Sequence, residues 1–364
     1  MAETVRRVVL VLGTSTGGVG RHVRMLAGGL TRLGHQVVVA GPAVTDEAFG
    51  FSEKARFAEV AVSDRPRPLG DLRAVARLRT LLRGADVVHA HGLRAGALAA
   101  LALTGRRTPL VVTLHNALTA GGAVGAIYGL LERIVARRAD QVLVVAPDLG
   151  ERMAVRGARR VAAAVVPAPP LRPPARTAAQ VREELGTGER PILLTIARLA
   201  QQKGLETLLE AARGPYEGAV PLFAVAGEGP LREALQARVD AEALPVRLLG
   251  QRADIADLLQ AAHAVVSPSR WEGQPLNIHE ALRAGKPIIA TAVGGVPGMV
   301  GDAALLVPAG DAAALRGEIA RLLADPALAG RLSSAALARP LPDEQAAVEA
   351  VRSAYETVTG TPGR

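Results

Sequence analysis

A chain of 364 residues with 49% hydrophobic content can bury two ordinary cores, so two domains are the default. It has no apolar run near the roughly 18 residues that a membrane-spanning helix needs, and without cysteine it has neither disulfides nor thiolate metal sites, in keeping with a reducing cytoplasm. The net charge of +9 could suit nucleic acid, but aromatics are only 2% and the arginines are scattered rather than blocked. Nucleic acid is therefore set aside, and the charge is left for anionic phosphates or an anionic membrane face.

The first apolar run, VVLVLG, follows Arg6 and Arg7, lacks a small-residue cleavage site and continues into a glycine loop, so it reads as a strand and not a signal peptide. A helix through Leu30, the strand QVVVAG, a helix around Leu72 to Leu82, and the strands in DVVHAH, PLVVTLH and DQVLVVAP follow. Continuous Val and Leu runs alternating with helices predict a parallel sheet covered on both faces. The prolines of VVPAPPLRPPAR, residues 165–176, break every periodicity and read as a semi-rigid connection. A second alternating series follows in RPILLTIARL, PLFAVAGEG, VRLLG, AHAVVSPS, KPIIATAV and ALLVPAG, and PDEQAAVEAVRSAYETV reads as a final amphipathic helix. The expected organisation is α/β, with two Rossmann-like doubly wound domains over 1–168 and 169–340 facing across a cleft, and 341–364 returning to the first domain. Ligands of such sheets bind beyond the carboxyl ends of the strands, so chemistry is sought there.

In GTSTGGVGRHV, Gly17 and Gly18 follow the first strand and open a helix, which lets backbone amides approach a phosphate or a sugar. The spacing is not that of a dinucleotide fingerprint, and no acidic residue ends QVVVAG, which disfavours a nicotinamide enzyme. His89 and His91 alternate onto one side of their strand, but no carboxylate or third ligand accompanies them at useful spacing, so packing is expected over metal binding. His115 ends its strand cleanly and is expected to reach the cleft. In the second series, Arg198 at a strand end and Lys203 just before a helix suit a diphosphate: the guanidinium grips oxygens in a fork, and the ammonium and helix dipole add charge. Gly227 opens a similar strand-to-helix turn. The stretch SRWEGQPLNIHEAL then sets Glu272 in a turn and Glu280 inside a helix, seven residues lying between them.

The order GGVG, HAH, TLH, ARLxxQKG, AGEGPL and SRWEGxxxxxxEAL resembles glycosyltransferase family 4 over nearly the whole chain. The resemblance implies the GT-B fold and transfer of a sugar from a nucleotide donor with retention of configuration. The lack of an Asp-x-Asp motif agrees with the family's metal-independent chemistry, and no cofactor is expected. It further implies that Glu280 accepts hydrogen bonds from the donor ribose, that Glu272 binds hydroxyls of the transferred sugar, and that amides of the turn between them hold the diphosphate. Arg198 and Lys203 would neutralise the leaving group, His115 would contact the donor sugar near the reacting carbon, and Gly18 would lie beside the diphosphate. Catalysis is thus assigned to His115, Glu272, Arg198 and Lys203. Donor binding is assigned to these last three with Gly17, Gly18, Gly227, Arg252, Gly273, Gln274, Leu276, Asn277 and Glu280, and acceptor-side contacts to His89, His91 and Asn116. Gln274, Pro275, Leu276 and Asn277 stand where many relatives carry a Gly-Phe-Gly-type run, and Pro275 has no N–H to donate. The partners expected are a nucleotide sugar, with UDP favoured, and a sugar, lipid-linked or small-molecule acceptor. A nucleotide-sugar epimerase and a non-catalytic nucleotide-sugar binding protein are the rivals. Peripheral association with the inner membrane face is a further reading, carried by the basic stretch LRAVARLRTLLRG.

Overall fold

The computed structural model describes residues 6–15, 17–63, 65–117, 122–167 and 170–360. The chain divides into two compact units, Met1–Pro167 with Pro342–Arg364, and Ala168–Leu341. Ala168 and Pro169, at which the sequence reading drew its boundary, lie outside the described residues.

In the first unit the strands are β1 (Arg7–Leu12), β2 (Gln36–Gly41), β3 (Arg56–Glu59), β4 (Val87–His91), β5 (Leu110–Leu114), β6 (Gln141–Val144) and β7 (Val161–Ala163). They form one sheet in the order β3-β2-β1-β4-β5-β6-β7, and every pairing is parallel. The helices between them are α1 (Gly18–Arg32), α2 (Ala43–Phe49), α3 (Pro68–Leu81), α4 (Leu93–Ala102), α5 (Gly122–Arg138) and α6 (Pro147–Val155). Val8 to Leu12 are fully buried, which is why β1 is a continuous apolar run: helices cover both its faces. The edge strands β3 and β7 were not expected from sequence. Each is short, and neither RFAE nor VAA has the buried run that marks a central strand.

The C-terminal helix, Glu344–Thr359, packs on α1 and β5 within this unit. It is anchored by Tyr355, which is buried and whose hydroxyl lies 2.8 Å from Nδ1 of His89. The Tyr355→Phe change keeps the ring and orphans that nitrogen. It is expected to lower the unfolding free energy by about 1–3 kcal/mol, seen in urea titration as a lower midpoint with unchanged slope.

The second unit contains β8 (Ile192–Ile196), β9 (Leu222–Ala226), β10 (Val246–Gly250), β11 (Ala264–Ser267), β12 (Ile288–Thr291) and β13 (Ala304–Val307), in the order β10-β9-β8-β11-β12-β13, again all parallel. Its helices are α7 (Ala178–Glu184), α8 (Leu205–Ala212), α9 (Arg232–Ala241), α10 (Ile255–Ala261), α11 (Leu276–Arg283), α12 (Val296–Val300), α13 (Ala312–Ala324) and α14 (Pro326–Ala338). Alternation along the strands divides the core in two. Leu193, Phe223, Val225, Val266 and Ile289 pack with Leu208 of α8 and Ile319 of α13. Ile192, Leu194, Ala224, Val265 and Ile288 pack on the opposite face with Leu258 of α10 and Ile278 of α11. Each fully buried Leu, Ile, Val or Phe contributes about 1.5–3 kcal/mol.

Strand order reverses beside β1 in the first sheet and beside β8 in the second, because β2 and β4 flank β1 while β9 and β11 flank β8. Loops that leave adjacent strands to opposite sides open a crevice at such a switch point. The glycine loop follows β1 and the His89-His91 pair ends β4. Arg198 and Lys203 follow β8, and Glu272 follows β11.

Candidate active site

At the β8/β11 switch point three loops meet at backbone contact. Gly204 has φ +61°, and a Cβ there would lie 2.1 Å from the Pro268 carbonyl oxygen; Gly294 has φ +52°, and a Cβ there would lie 1.9 Å from the carbonyl oxygen of Glu272. Both positions thus need glycine twice over, for the left-handed backbone and for the close approach. The loops are laced together as well: the Arg270 amide donates to the Gln202 carbonyl (2.8 Å), the Gln202 side-chain amide to the Trp271 carbonyl (2.9 Å), and the Gly295 amide to the Glu272 carbonyl (3.0 Å).

The lacing brings together two charges assigned to different duties by sequence. Lys203 Nζ donates to Glu272 Oε1 at 2.6 Å, and Ser269 Oγ donates to the same oxygen at 2.6 Å. Glu272 is 6% exposed. The carbonyl of Ser269 is in turn held by the Thr291 hydroxyl at 2.5 Å. Ser269, Gln202 and Gly294 were missed from sequence; the glycine pair at 294 and 295, directly after a strand, was the available signal. Arg198 stands two residues beyond β8 and is exposed. Gly273 is buried, while Gln274, Leu276 and Asn277 are half-buried around the first turn of α11. Pro275 caps that helix, and Glu280 lies on it, half-buried and partnered.

Gly227, after β9, is held by packing. Its φ is +148°, and a Cβ there would lie 1.9 Å from the Ala197 carbonyl oxygen, so the glycine allows the ends of β8 and β9 to touch. Arg252 departs from its donor-binding assignment. Its guanidinium binds Glu184 through Nη1 (2.7 Å) and Nη2 (3.2 Å), and Asp254 through Nε (2.8 Å) and Nη2 (2.6 Å). Arg176, from the proline-rich connection, joins the same carboxylates and also Asp257 (3.0 Å). Arg252 first, then Arg176, holds the Glu184 carboxyl down at about 2. This fork is saturated by protein carboxylates, so Arg252 ties the connection and α7 to the start of α10 and is not available for a phosphate.

At the β1/β4 switch point, α1 starts at Gly18, with Gly17 as its cap. Gly20 is needed for packing, since a Cβ there would lie 2.3 Å from the Phe49 ring. His89 and His91 do share one side of β4, with ring centroids 4.2 Å apart, but neither fits the acceptor-side assignment. His89 is fully buried, and both its nitrogens are taken, by Tyr355 and by Thr113 Oγ1 (2.7 Å). His91 is 2% exposed and lies behind His115, its Nδ1 3.2 Å from His115 Nε2. His115 is half-buried, one residue beyond β5, and Asn116 next to it is exposed. A third histidine does accompany His91 and His115, contrary to the spacing argument. His22 of α1 sits edge-on to both, with centroids 5.7 and 5.4 Å away. Burial pushes His22 down to about 4 and, with His22 nearby, His89 to about 3. Burial first, then neighbouring imidazoles, also holds His91 and His115 well below the ordinary range.

Comparison with known proteins assigns the architecture. Residues 17–169 match the model of the glycosyl transferase 4-like domain, and residues 190–325 that of glycosyl transferases group 1. D-inositol 3-phosphate glycosyltransferase 1 of Catenulispora acidiphila is 30% identical over 321 residues, which covers 77% of this chain and 73% of that protein. Alpha-D-kanosaminyltransferase of Streptomyces kanamyceticus is 32% identical over 171 residues, so the match spans 45% of this chain and only 44% of that enzyme. Among solved structures, Anabaena Alr3699/HepE in complex with UDP superposes with a TM-score of 0.78 at 20% identity, covering 96% of this chain and 100% of that one. The two parallel α/β sheets are those of the GT-B fold, and the chain belongs to glycosyltransferase family 4.

Proposed function

We propose that the chain is a retaining, metal-independent hexosyltransferase that takes its sugar from a nucleoside-diphosphate donor, with UDP favoured, and passes it to a sugar, lipid-linked or small-molecule acceptor. The observation that carries this reading is the Lys203–Glu272 pair at the β8/β11 switch point, flanked by exposed Arg198 and by Glu280 on the following helix. An ionised carboxylate is a pure acceptor suited to sugar hydroxyls, while the ammonium and guanidinium can stabilise charge gathering on the departing diphosphate. By family resemblance, Glu280 takes the ribose, Glu272 the transferred sugar and His115 the sugar near its reacting carbon. The bond from the anomeric carbon to the diphosphate breaks, the acceptor oxygen bonds on the same face, and the acceptor proton leaves with the phosphate. Arg198 and Lys203 supply the positive charge that a metal ion would otherwise bring to the leaving group.

A screen of nucleotide sugars by thermal shift tests the donor. At 100 times its dissociation constant a true donor stabilises by about 2.7 kcal/mol, and indifference to UDP, GDP and ADP sugars alike would overturn the reading. An epimerase would instead consume donor with no acceptor present, and a binding module would bind donor and release no product.

One observation favours a lipid-linked acceptor at the cytoplasmic membrane face. No described helix is long and apolar enough to cross a membrane, but α3 leaves Leu69 74% and Leu72 67% exposed, beside exposed Arg73 and Arg77. Apolar side chains next to cations suit an anionic interface. Co-sedimentation with vesicles containing anionic phospholipid is expected at physiological salt and should weaken in Leu69→Ser/Leu72→Ser; equal binding by both proteins removes the support.

A further inference from the structure

The histidines of the first unit carry a second reading, independent of sugar transfer. His22, His91 and His115 each offer one ring nitrogen, and these three atoms lie within 4.8 Å of one another. The separation of 3.2 Å between His91 Nδ1 and His115 Nε2 is close to the edge of a tetrahedral zinc site, roughly 3.3 Å for zinc–nitrogen bonds of 2.0–2.1 Å. One nitrogen of the group, His22 Nδ1, is buried and has no hydrogen-bond partner among the described residues. A buried polar atom left in that state is costly, and ligation or a water removes the cost. His89 is not part of the set, since both of its nitrogens already have partners.

We propose that His22, His91 and His115 form a binding site for a divalent cation of the zinc class, with a fourth coordination position open beside the half-buried His115. The donor set is three imidazoles with no carboxylate and no thiolate. It favours zinc, cobalt, nickel or copper and disfavours magnesium and calcium, which seek oxygen. The three side chains come from α1, from the end of β4 and from the residue after β5, and the cation takes no part in the transfer chemistry proposed above. Because His115 cannot face a cation and a sugar at once, the loaded protein is expected to transfer slowly.

The test uses the full chain freed of metal by a chelator and titrated with Co2+ as a spectroscopic probe. One equivalent is expected to bind with visible ligand-field bands of four- or five-coordinate cobalt, and Zn2+ should displace it. His22→Gln should weaken binding by about tenfold or more, while His263→Gln, in the other unit, should not. Failure of the wild type to bind, or equal binding by His22→Gln, overturns the site. If His22→Gln does not fold, X-ray absorption on the wild-type complex decides the matter: three imidazoles are expected, and fewer would overturn the assignment. Transfer at an unchanged rate in the loaded protein would count against the donor role of His115 and leave the cation site standing.

Discussion

Replacing Lys203 with alanine is expected to lower the unfolding free energy by about 3 kcal/mol, the low end of the range for breaking a buried ion pair from one side. Glu272 has a 7% exposed side chain and would keep only the Ser269 hydroxyl on Oε1, while the lysine, 24% exposed, has less desolvation to recover. The same change is expected to weaken donor binding by about 10- to 100-fold, as loss of a charge-assisted contact to phosphate would. These two effects are separable. In Lys203→Met/Glu272→Gln neither partner is left as an unpaired buried charge, so stability should return to within about 1 kcal/mol of wild type, with donor affinity still weak. Urea titration and calorimetry with the donor found by screening give the two readouts. Recovery of affinity along with stability in the double variant would show that the donor needs neither charge, and the phosphate role of Lys203 would be lost together with the carboxylate role of Glu272.

The pair also shows what a linear sequence can and cannot convey. Lys203 and Glu272 were each identifiable, because both follow apolar runs that read as central strands and both sit beside the start of a helix. That they touch was not, since 69 positions separate them and the contact depends on glycines 204 and 294 allowing three loops to meet. Arg252 failed for the same reason in reverse. Its strand-end position looks like that of Arg198, but Glu184, 68 residues away, shares its guanidinium with Asp254. His22 was invisible to a search along β4 and β5 because it arrives on α1, one turn past the glycine loop. The clue was the doubly wound topology itself: it places β4 next to β1, so the helix that β1 feeds begins over the end of β4. Central strands such as β1, β4 and β8 were legible because burial on both faces demands unbroken apolar runs, a demand that the edge strands β3 and β7 escape.

Glu280→Ala and His115→Ala are expected to fail in different ways. A carboxylate that accepts from ribose hydroxyls contributes to binding the donor in the ground state and in the transition state alike, so its loss should raise the donor dissociation constant by about 10- to 100-fold with little change in kcat. Glu280 lies on α11, about one helical turn past its start at Leu276, while Glu272 is in the turn that precedes the helix, so the two carboxylates are held by different elements. A histidine that contacts the sugar near its reacting carbon should matter most when charge develops there, so His115→Ala should lower kcat by about 10²-fold or more and leave the donor dissociation constant within about threefold of wild type. Because His115 is half-buried against His91, His115→Gln serves as the companion variant that keeps the volume and one hydrogen-bonding group. Calorimetry with the donor nucleotide alone isolates the first effect, since it contains the ribose and lacks the sugar. Nucleotide affinity in Glu280→Ala equal to wild type would remove the ribose assignment, and a His115→Ala defect confined to donor affinity would move that histidine from the reaction to the binding of the sugar.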